Sequence, residues 1–505
     1  MGNEVTIMKL FNIFKKEPKK KSTRGFKGAL KTRFTNWLFA SFNKINVDTK
    51  YEFKQLILRV RDLSKNNEVF RSHLNNLEKS IIGKQGFRLQ SLVKAPTGEL
   101  DAAVNDELEL AWYDFGKRSN GYITKCGGLG DRDLDALILR TLIIDGEVFI
   151  RIIKDAKNPY GISFKILDSL CIDFDKNRPQ SNYENAIVAG IEIDKDNRPV
   201  NYYYKEGDTD NYSTGFSEVI PANEIIHIFK KEFVGQVRGF SEICASIDSL
   251  KQLDDYAVAE LFAAKIAACQ NVFYERTGNT AGDWMDQEEG DDKGEFLSAM
   301  SPGESSIVPK GYTVKSISPN HPNTNFSGFV KAIVRRIASS VGVSYNRLAH
   351  DYEAVNYSSL REASIDEGKT YANIQQFFVD NWKTFEYELF LKSYIMNGDT
   401  KLKPSKLKDY LSYNFICRKD GLFDPAKEII AIERRLKLGL SNPIIELESL
   451  GLDPEEVVQG WARWNELLSA NSISFNYSEN EKVALNVVDQ FQEEVNHPEN
   501  NNEMN

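Results

Sequence analysis

The residue types that most often perform chemistry are present in this chain but scattered. Its five histidines, at 73, 227, 321, 350 and 497, are each isolated in sequence, so no local pattern supports a His-based acid/base or metal site. Five cysteines, at 126, 171, 244, 269 and 417, form no CxxC pair and have no histidine at zinc-ligand spacing, and they read as reduced, mostly buried small hydrophobes. The run Cys126-Gly127-Gly128-Leu129-Gly130 has the look of a phosphate loop, yet no strand with the right turn precedes it and no lysine follows at the binding position. GxxxxGK[ST], GxSxG, HExxH and EF-hand patterns are missing. The carboxylates Asp283, Asp286, Glu288, Glu289, Asp291, Asp292 and Glu295 lack the regular alternation of a calcium loop and read as a solvated or partner-docking acidic face. No catalytic residue, metal site or cofactor is therefore expected. His227 alternates with apolar neighbours and reads as a structural histidine.

These side chains sit in an organised frame. At 505 residues, with 41% hydrophobic and 27% charged residues, the chain is expected to be soluble, folded and multidomain. No apolar stretch reaches the roughly 18 to 20 residues of a membrane span. Residues 1–34 carry ten Lys or Arg against two Glu, the composition of a mobile basic arm; a membrane-surface helix using Ile7, Leu10, Phe11 and Phe14 is the alternative. Its basic cluster follows its apolar piece, the reverse of a signal peptide.

From Thr49 to Ile82 apolar residues recur every three or four positions, which predicts one or two amphipathic helices. A strand over 86–90, helices over 107–116 and 132–145, and short strands over 147–153, 164–167, 186–193, 200–204 and 225–229 predict an α+β region. A continuous helix is expected from Ser241 to about Cys269, then a small acidic insert with strands near Ile307 and Tyr312–Ile317, then a second long helix through Phe326, Val330, Ile337 and Val341. After a polar break at 342–356, a third helix is expected over 358–394, with Gly368 as its weak point. Asp424-Pro425, Asn442-Pro443 and Asp453-Pro454 each pair a capping side chain with proline at the first helical position and predict a small helical C-terminal region. The end, rich in Asn and Glu, reads as disordered.

Seven separated motifs then carry a resemblance. Arg59-Val60-Arg61-Asp62-Leu63-Ser64-Lys65-Asn66-Asn67, Ile82-Gly83-Lys84-Gln85-Gly86-Phe87-Arg88-Leu89-Gln90, the Asp145-Gly146-Glu147 strand entry and Gly190-Ile191-Glu192-Ile193-Asp194 come first. Gly235-Gln236-Val237-Arg238-Gly239, Asn356-Tyr357-Ser358-Ser359-Leu360-Arg361 and Asp424-Pro425-Ala426-Lys427-Glu428 follow in order. Together they resemble the lambda-type family of tailed-phage portal proteins, the head-tail connectors of the capsid vertex. Residues 1–50, the acidic insert and the C-terminal tail match no motif of that family.

The resemblance implies a ring of about twelve subunits through which double-stranded DNA is packaged and ejected, bound without sequence specificity. It implies a portal-type α+β fold with a basic arm (1–34), a wing (35–240), a stem of two helices (241–269 and 322–343) and a clip (270–321). A tunnel loop (344–357), a long helix returning to the wing (358–403), a helical crown (404–475) and a disordered tail (476–505) complete it. The acidic clip face would dock terminase and later the head-completion and tail proteins, with major capsid and scaffold proteins as further partners. The setting would be the virion, with the host cytoplasm during assembly. Lys331, Arg335 and Arg336 would place a basic stripe on the channel, and Arg347, His350, Tyr352, Asn356 and Tyr357 would lie in the tunnel loop. The net charge of −9 suits a conduit, because tight phosphate neutralisation would oppose sliding. A packaging-associated nuclease or protease, and a membrane-surface scaffold, are the alternatives.

Overall fold

The computed structural model describes residues 45–205, 218–268, 272–276, 312–316, 325–353, 355–397, 400–419 and 424–470. The basic arm, the seven insert carboxylates, Ile307, Cys269, His321, His497 and the C-terminal tail lie outside these residues.

The first amphipathic stretch divides into α1 (Ile45–Asn66) and α2 (Glu68–Ile81). Asn67 makes the division: its Oδ1 accepts from the Phe70 amide at 2.8 Å and caps α2. The expected stripe, including Val60, Phe70, Leu74 and Ile81, is buried. Strand β1 (Arg88–Ser91) follows, then α3 (Ala102–Gly116) and α4 (Asp131–Asp145).

Two sheets follow. In the three-stranded sheet, β2 (Glu147–Lys154) lies between β3 (Ile162–Leu167) and β8 (Ile225–Phe229), all antiparallel, so Phe149 faces Leu167 on one side and His227 on the other. The four-stranded sheet runs in order β4 (Ala186–Val188), β5 (Ile191–Ile193), β6 (Pro199–Tyr204) and β7 (Glu218–Pro221). The single run expected over 186–193 is instead a hairpin, turning where Ala189 and Gly190 take φ of 45° and 82°. A Cβ on Gly190 would stand 2.7 Å from the Asp173 carbonyl, so glycine permits both the turn and the close approach.

Ser241 caps a 3-10 turn (Glu242–Ser246) before α5 (Ile247–Ala268), so the first long helix begins tighter than expected. Strands β9 (Val272–Arg276) and β10 (Tyr312–Ser316) pair antiparallel and lead to α6 (Phe326–Ser340). The polar break is not all loop. It holds the short helix α7 (Tyr345–Ala349), capped by Ser344. The third long helix comprises α8 (Tyr357–Phe378), a π-helical turn (Val379–Lys383) and α9 (Thr384–Asn397).

Gly368 is not its irregular point; the π turn is. The extra residue there changes the helical phase, and Trp382, Lys383, Glu386 and Tyr387 all become fully buried. Residues 413–416, expected with the C-terminal helices, form β11 (Tyr413–Ile416) and pair with β1, Leu89 opposite Phe415. The three proline-started helices are present as α10 (Pro425–Lys437), α11 (Pro443–Ser449) and α12 (Pro454–Ala470). Cys126 is exposed and Cys171, Cys244 and Cys417 are half-buried, so Cys126 departs from the buried expectation. Helix and sheet are mixed through one principal core, an α+β arrangement.

Candidate functional site

Three of the motifs meet inside the body. Arg238 and Glu147 are both fully buried, with guanidinium-to-carboxylate contacts of 2.5 and 2.8 Å. Arg238 also donates to the Ala189 carbonyl at 2.7 Å and the Ser169 carbonyl at 3.1 Å, and stacks over Phe174. The Gly239 amide donates to Glu147 Oε2 at 3.0 Å, and His227 Nε2 lies 3.2 Å from the same oxygen. Burial alone would raise the Glu147 carboxyl; the Arg238 charge and the His227 bond outweigh it and hold the group below its ordinary value. Burial lowers His227, which stacks on Phe149 at 4.2 Å.

Next to this pair, Arg61 forks onto Asp145 (2.6 and 2.8 Å) and Asp168 (2.7 and 3.0 Å). Gly146 takes φ of 85° where a Cβ would meet the Phe240 backbone at 2.0 Å. The arginine, Asp-Gly-Glu and Arg-Gly motifs are thus one clamp that joins α1, β2 and the entry to α5. The sequence displayed these residues without revealing that they touch.

From this clamp a helix pair leaves the body. Ser246 lies opposite Ser340, and Tyr256 packs on Phe326 and Phe329 at 5.5 and 5.0 Å, so α5 and α6 run antiparallel. Of the residues whose side chains are described between 254 and 265, none is buried, and on α6 burial begins at Val334. Val258, Leu261 and Phe262 share one face of α5 and are each more than half exposed.

The end of α6 leads into a bolted turn. Arg347 Nε pairs with Glu367 Oε2 at 2.7 Å, while the Ser344 amide donates to Glu367 Oε1 at 2.8 Å. Asn76 and Ser72 of α2 donate to the carbonyls of Arg347 (3.0 Å) and Leu348 (3.2 Å). Lys331 reaches Asp351 at 3.3 Å, Asp351 accepts from Tyr345 at 2.8 Å, and Arg335 lies over the Tyr345 ring. Hydrogen bonds from Tyr345 and the Glu353 amide, with Lys331, hold the Asp351 carboxyl below its ordinary value. Asn356 caps α8 through the Ser359 amide at 2.8 Å, and the Tyr357 hydroxyl reaches Asp424 at 3.2 Å.

The structure therefore gathers Lys331, Arg335 and Arg347 around α7. Arg335, Arg336, His350, Tyr352, Asn356 and Tyr357 are exposed, and Arg336 makes no ion pair among the described residues. His350 ends α7 at φ of 52°.

A second buried cluster was not anticipated from sequence. Lys383 Nζ lies 2.7 Å from Asp131 Oδ1 and from Glu386 Oε2, and 3.4 Å from Asp135 Oδ2; Trp382 Nε1 donates to Asp135 at 2.8 Å. Asp131, Asp135 and Glu386 stand close enough to share a cation, and the Lys383 ammonium fills that place. Burial pushes the Asp135 carboxyl up to about 7 and Glu386 well above its ordinary range. The available signal was Lys383 and Glu386, charged residues one turn apart amid the apolar Trp382, Tyr387 and Phe390.

A mixed helix-and-sheet body from which an antiparallel helix pair leaves, with an antiparallel strand pair between the two helices in sequence, defines the structural class. The family model described as phage portal protein, lambda family, matches residues 31–375. A probable portal protein of Halomonas phage phiHAP-1 is 31% identical over 442 residues, 86% of this chain and 85% of that protein. Portal protein B of Escherichia phage lambda is 23% identical over 346 residues, 62% of this chain and 63% of that protein. The chain belongs to the lambda family of phage portal proteins. Among solved structures, a chain from the virion of a native gene transfer agent particle overlaps 82% of this chain and 95% of its own, at 15% identity and a TM-score of 0.40. An HK97 family portal protein from Corynebacterium diphtheriae overlaps 74% and 96%, at 10% identity and 0.30.

Among the described residues no helix is long and apolar enough to cross a membrane.

Proposed function

We propose that copies of this portal protein close into a ring of about twelve, whose channel passes double-stranded DNA during packaging and ejection. The carrying observation is exposed apolar surface among the described residues: Val258, Leu261 and Phe262 share one face of α5, and Val458 and Trp464 lie on α12, all 47% exposed or more. Apolar stripes of this extent mark subunit contacts, and a head-to-tail contact that closes by rotation gives a ring.

In this reading α5 and α6 form the stem, β9 and β10 begin the clip, and α10–α12 form the crown. The clip carries the carboxylates 283–295 to terminase and then to head-completion and tail proteins; capsid and scaffold proteins contact the outer body. Arg335, Arg336, His350 and Tyr352 are the exposed channel candidates, while Arg347 and Asn356 also hold the turn through Glu367 and the Ser359 amide. A single exposed cation per subunit becomes a charged ring by symmetry, enough for weak phosphate contact without a tight groove. The protein works as a structural conduit and not as an enzyme, without cofactor, first in the host cytoplasm and then at the virion's portal vertex.

Purified protein carrying Leu261→Asp tests the assembly reading. Sedimentation should shift from a ring to small species with the circular dichroism of the wild type retained. An unchanged ring would remove the α5 stripe from the interface. Nuclease assay with Mg²⁺ should show no cleavage by the wild-type protein, and Mg²⁺-dependent cleavage that stays with the protein through a second purification step would overturn the conduit-only reading.

A further inference from the structure

One open groove among the described residues has no assigned role. It encloses about 790 Å³ between the small sheets and α9, with Ile226, Phe229 and Val237 on one wall and Phe377, Phe385 and Leu389 on the other. That volume falls in the roughly 300–1,000 Å³ range of cavities that bury a compact ligand. Three further features converge there. Strand β8 is the edge strand of its sheet, and its successive residues Ile225, Ile226 and His227 line the groove, so the unpaired side of the strand faces it. Open edges of this kind are normally covered. The loop beside it lifts Phe233 and Val234 into solvent, 53% and fully exposed. Asn46, the second described residue, ties down at the rim: its Nδ2 donates to the Gly235 carbonyl at 2.8 Å, and its Oδ1 accepts from the Val237 amide at 3.3 Å.

We propose that residues 37–42, Trp-Leu-Phe-Ala-Ser-Phe, occupy this groove in the same chain and cover the edge of β8. The chain outside the described residues ends at the groove's own rim, and its last stretch has the matching chemistry. Residues 35–43 carry no charge, in abrupt contrast with the ten Lys or Arg of residues 1–34. Nine residues separate Trp37 from Asn46, a reach of up to about 30 Å at ~3.3 Å per extended residue. A tether this short holds the segment at an effective concentration on the order of millimolar, which favours the chain's own segment over that of a neighbouring copy. The N-terminal arm would then leave the body from a fixed point, with its basic residues 1–34 beyond an apolar anchor.

The test uses the full-length protein with Cys126→Ser, which removes the exposed thiol among the described residues, and Cys269→Ser. Leu38→Cys, Phe39→Cys or Ala40→Cys is combined with Phe385→Cys, and a short bis-maleimide is added to the assembled protein. The expected result is a linked peptide pair within single chains for at least one combination, several-fold above a control in which Tyr183→Cys replaces Phe385→Cys. Links only between chains would assign the groove to a second copy, and yields no greater than the control would leave it to another partner; either overturns the proposal. Hydrogen exchange gives a second reading. Trp37→Asp should speed exchange of the 222–229 peptide at least tenfold while distant peptides stay unchanged, and an unaltered rate would count against the anchor.

Discussion

Removing the Arg238 side chain should be among the most damaging single changes in the body. Arg238→Met keeps much of the volume but leaves Glu147 fully buried with only His227 and the Gly239 amide as partners, leaves the Ala189 carbonyl without its donor and leaves the Ser169 carbonyl with the Ile172 amide alone. Breaking a buried ion pair from one side costs about 3–5 kcal/mol, a large part of the roughly 5–15 kcal/mol that holds a domain folded. Glu147 should respond by taking up a proton, which limits the loss to that range. The double variant Glu147→Met/Arg238→Met removes both charges, so it should recover part of the loss; the orphaned Ala189 carbonyl, at ~1–3 kcal/mol, keeps it below wild type. Urea unfolding followed by circular dichroism, with protein concentration held constant, measures the cycle. A single Arg238→Met variant within about 1 kcal/mol of wild type would refute the claim that this clamp holds α1, β2 and the α5 entry together.

The Lys383 cluster makes stability depend on pH in a definite direction. The folded chain holds protons on Asp135, pushed to about 7, and on Glu386, raised well above its ordinary range by burial, which the unfolded chain releases above about pH 4. Stability from these groups is full below that pH and is lost as pH rises through 7 and beyond. The melting temperature should fall between pH 5 and pH 8, and Glu386→Gln should flatten that fall; an equal slope in the variant would exclude Glu386 as its source. In the α7 turn, Arg347→Ala should cost about 1–2 kcal/mol, because its Glu367 partner is buried while Arg347 is partly exposed. Tyr352→Ala should leave melting unchanged and alter DNA passage in a packaging assay, and the opposite assignment of effects would reverse the roles given to the two residues. Gly146→Ala should abolish soluble expression, since its Cβ would lie 2.0 Å from Phe240 backbone and its φ is 85°; normal yield would contradict that geometry.

Much of the architecture could be read from periodicity and caps. The stripe from Phe53 to Ile81, the two long helices and the three Asx-Pro starts depend on neighbours in sequence, and each appears where those local signals place it. What depends on distant neighbours did not show. Residues 413–416 have no local feature that says their partner is β1, more than 300 positions earlier. The π turn at 379–383 arises from packing that draws Trp382 and Lys383 inward together, so Gly368, weak by propensity, was the wrong position. In the turn around α7, the resemblance placed Arg347 and Asn356 in the tunnel loop, and nothing local in the sequence showed that Arg347 also pairs with Glu367 or that Asn356 caps α8 through the Ser359 amide. The motifs were more informative than any single residue, because Arg61, Glu147 and Arg238 meet only in the fold.

Passage of DNA through this protein requires that copies close into an open ring. Native mass spectrometry of the purified assembly, with negative-stain images of the same sample, measures this directly. A particle of about twelve chains with a central opening is expected, and a closed particle without an opening would contradict the conduit.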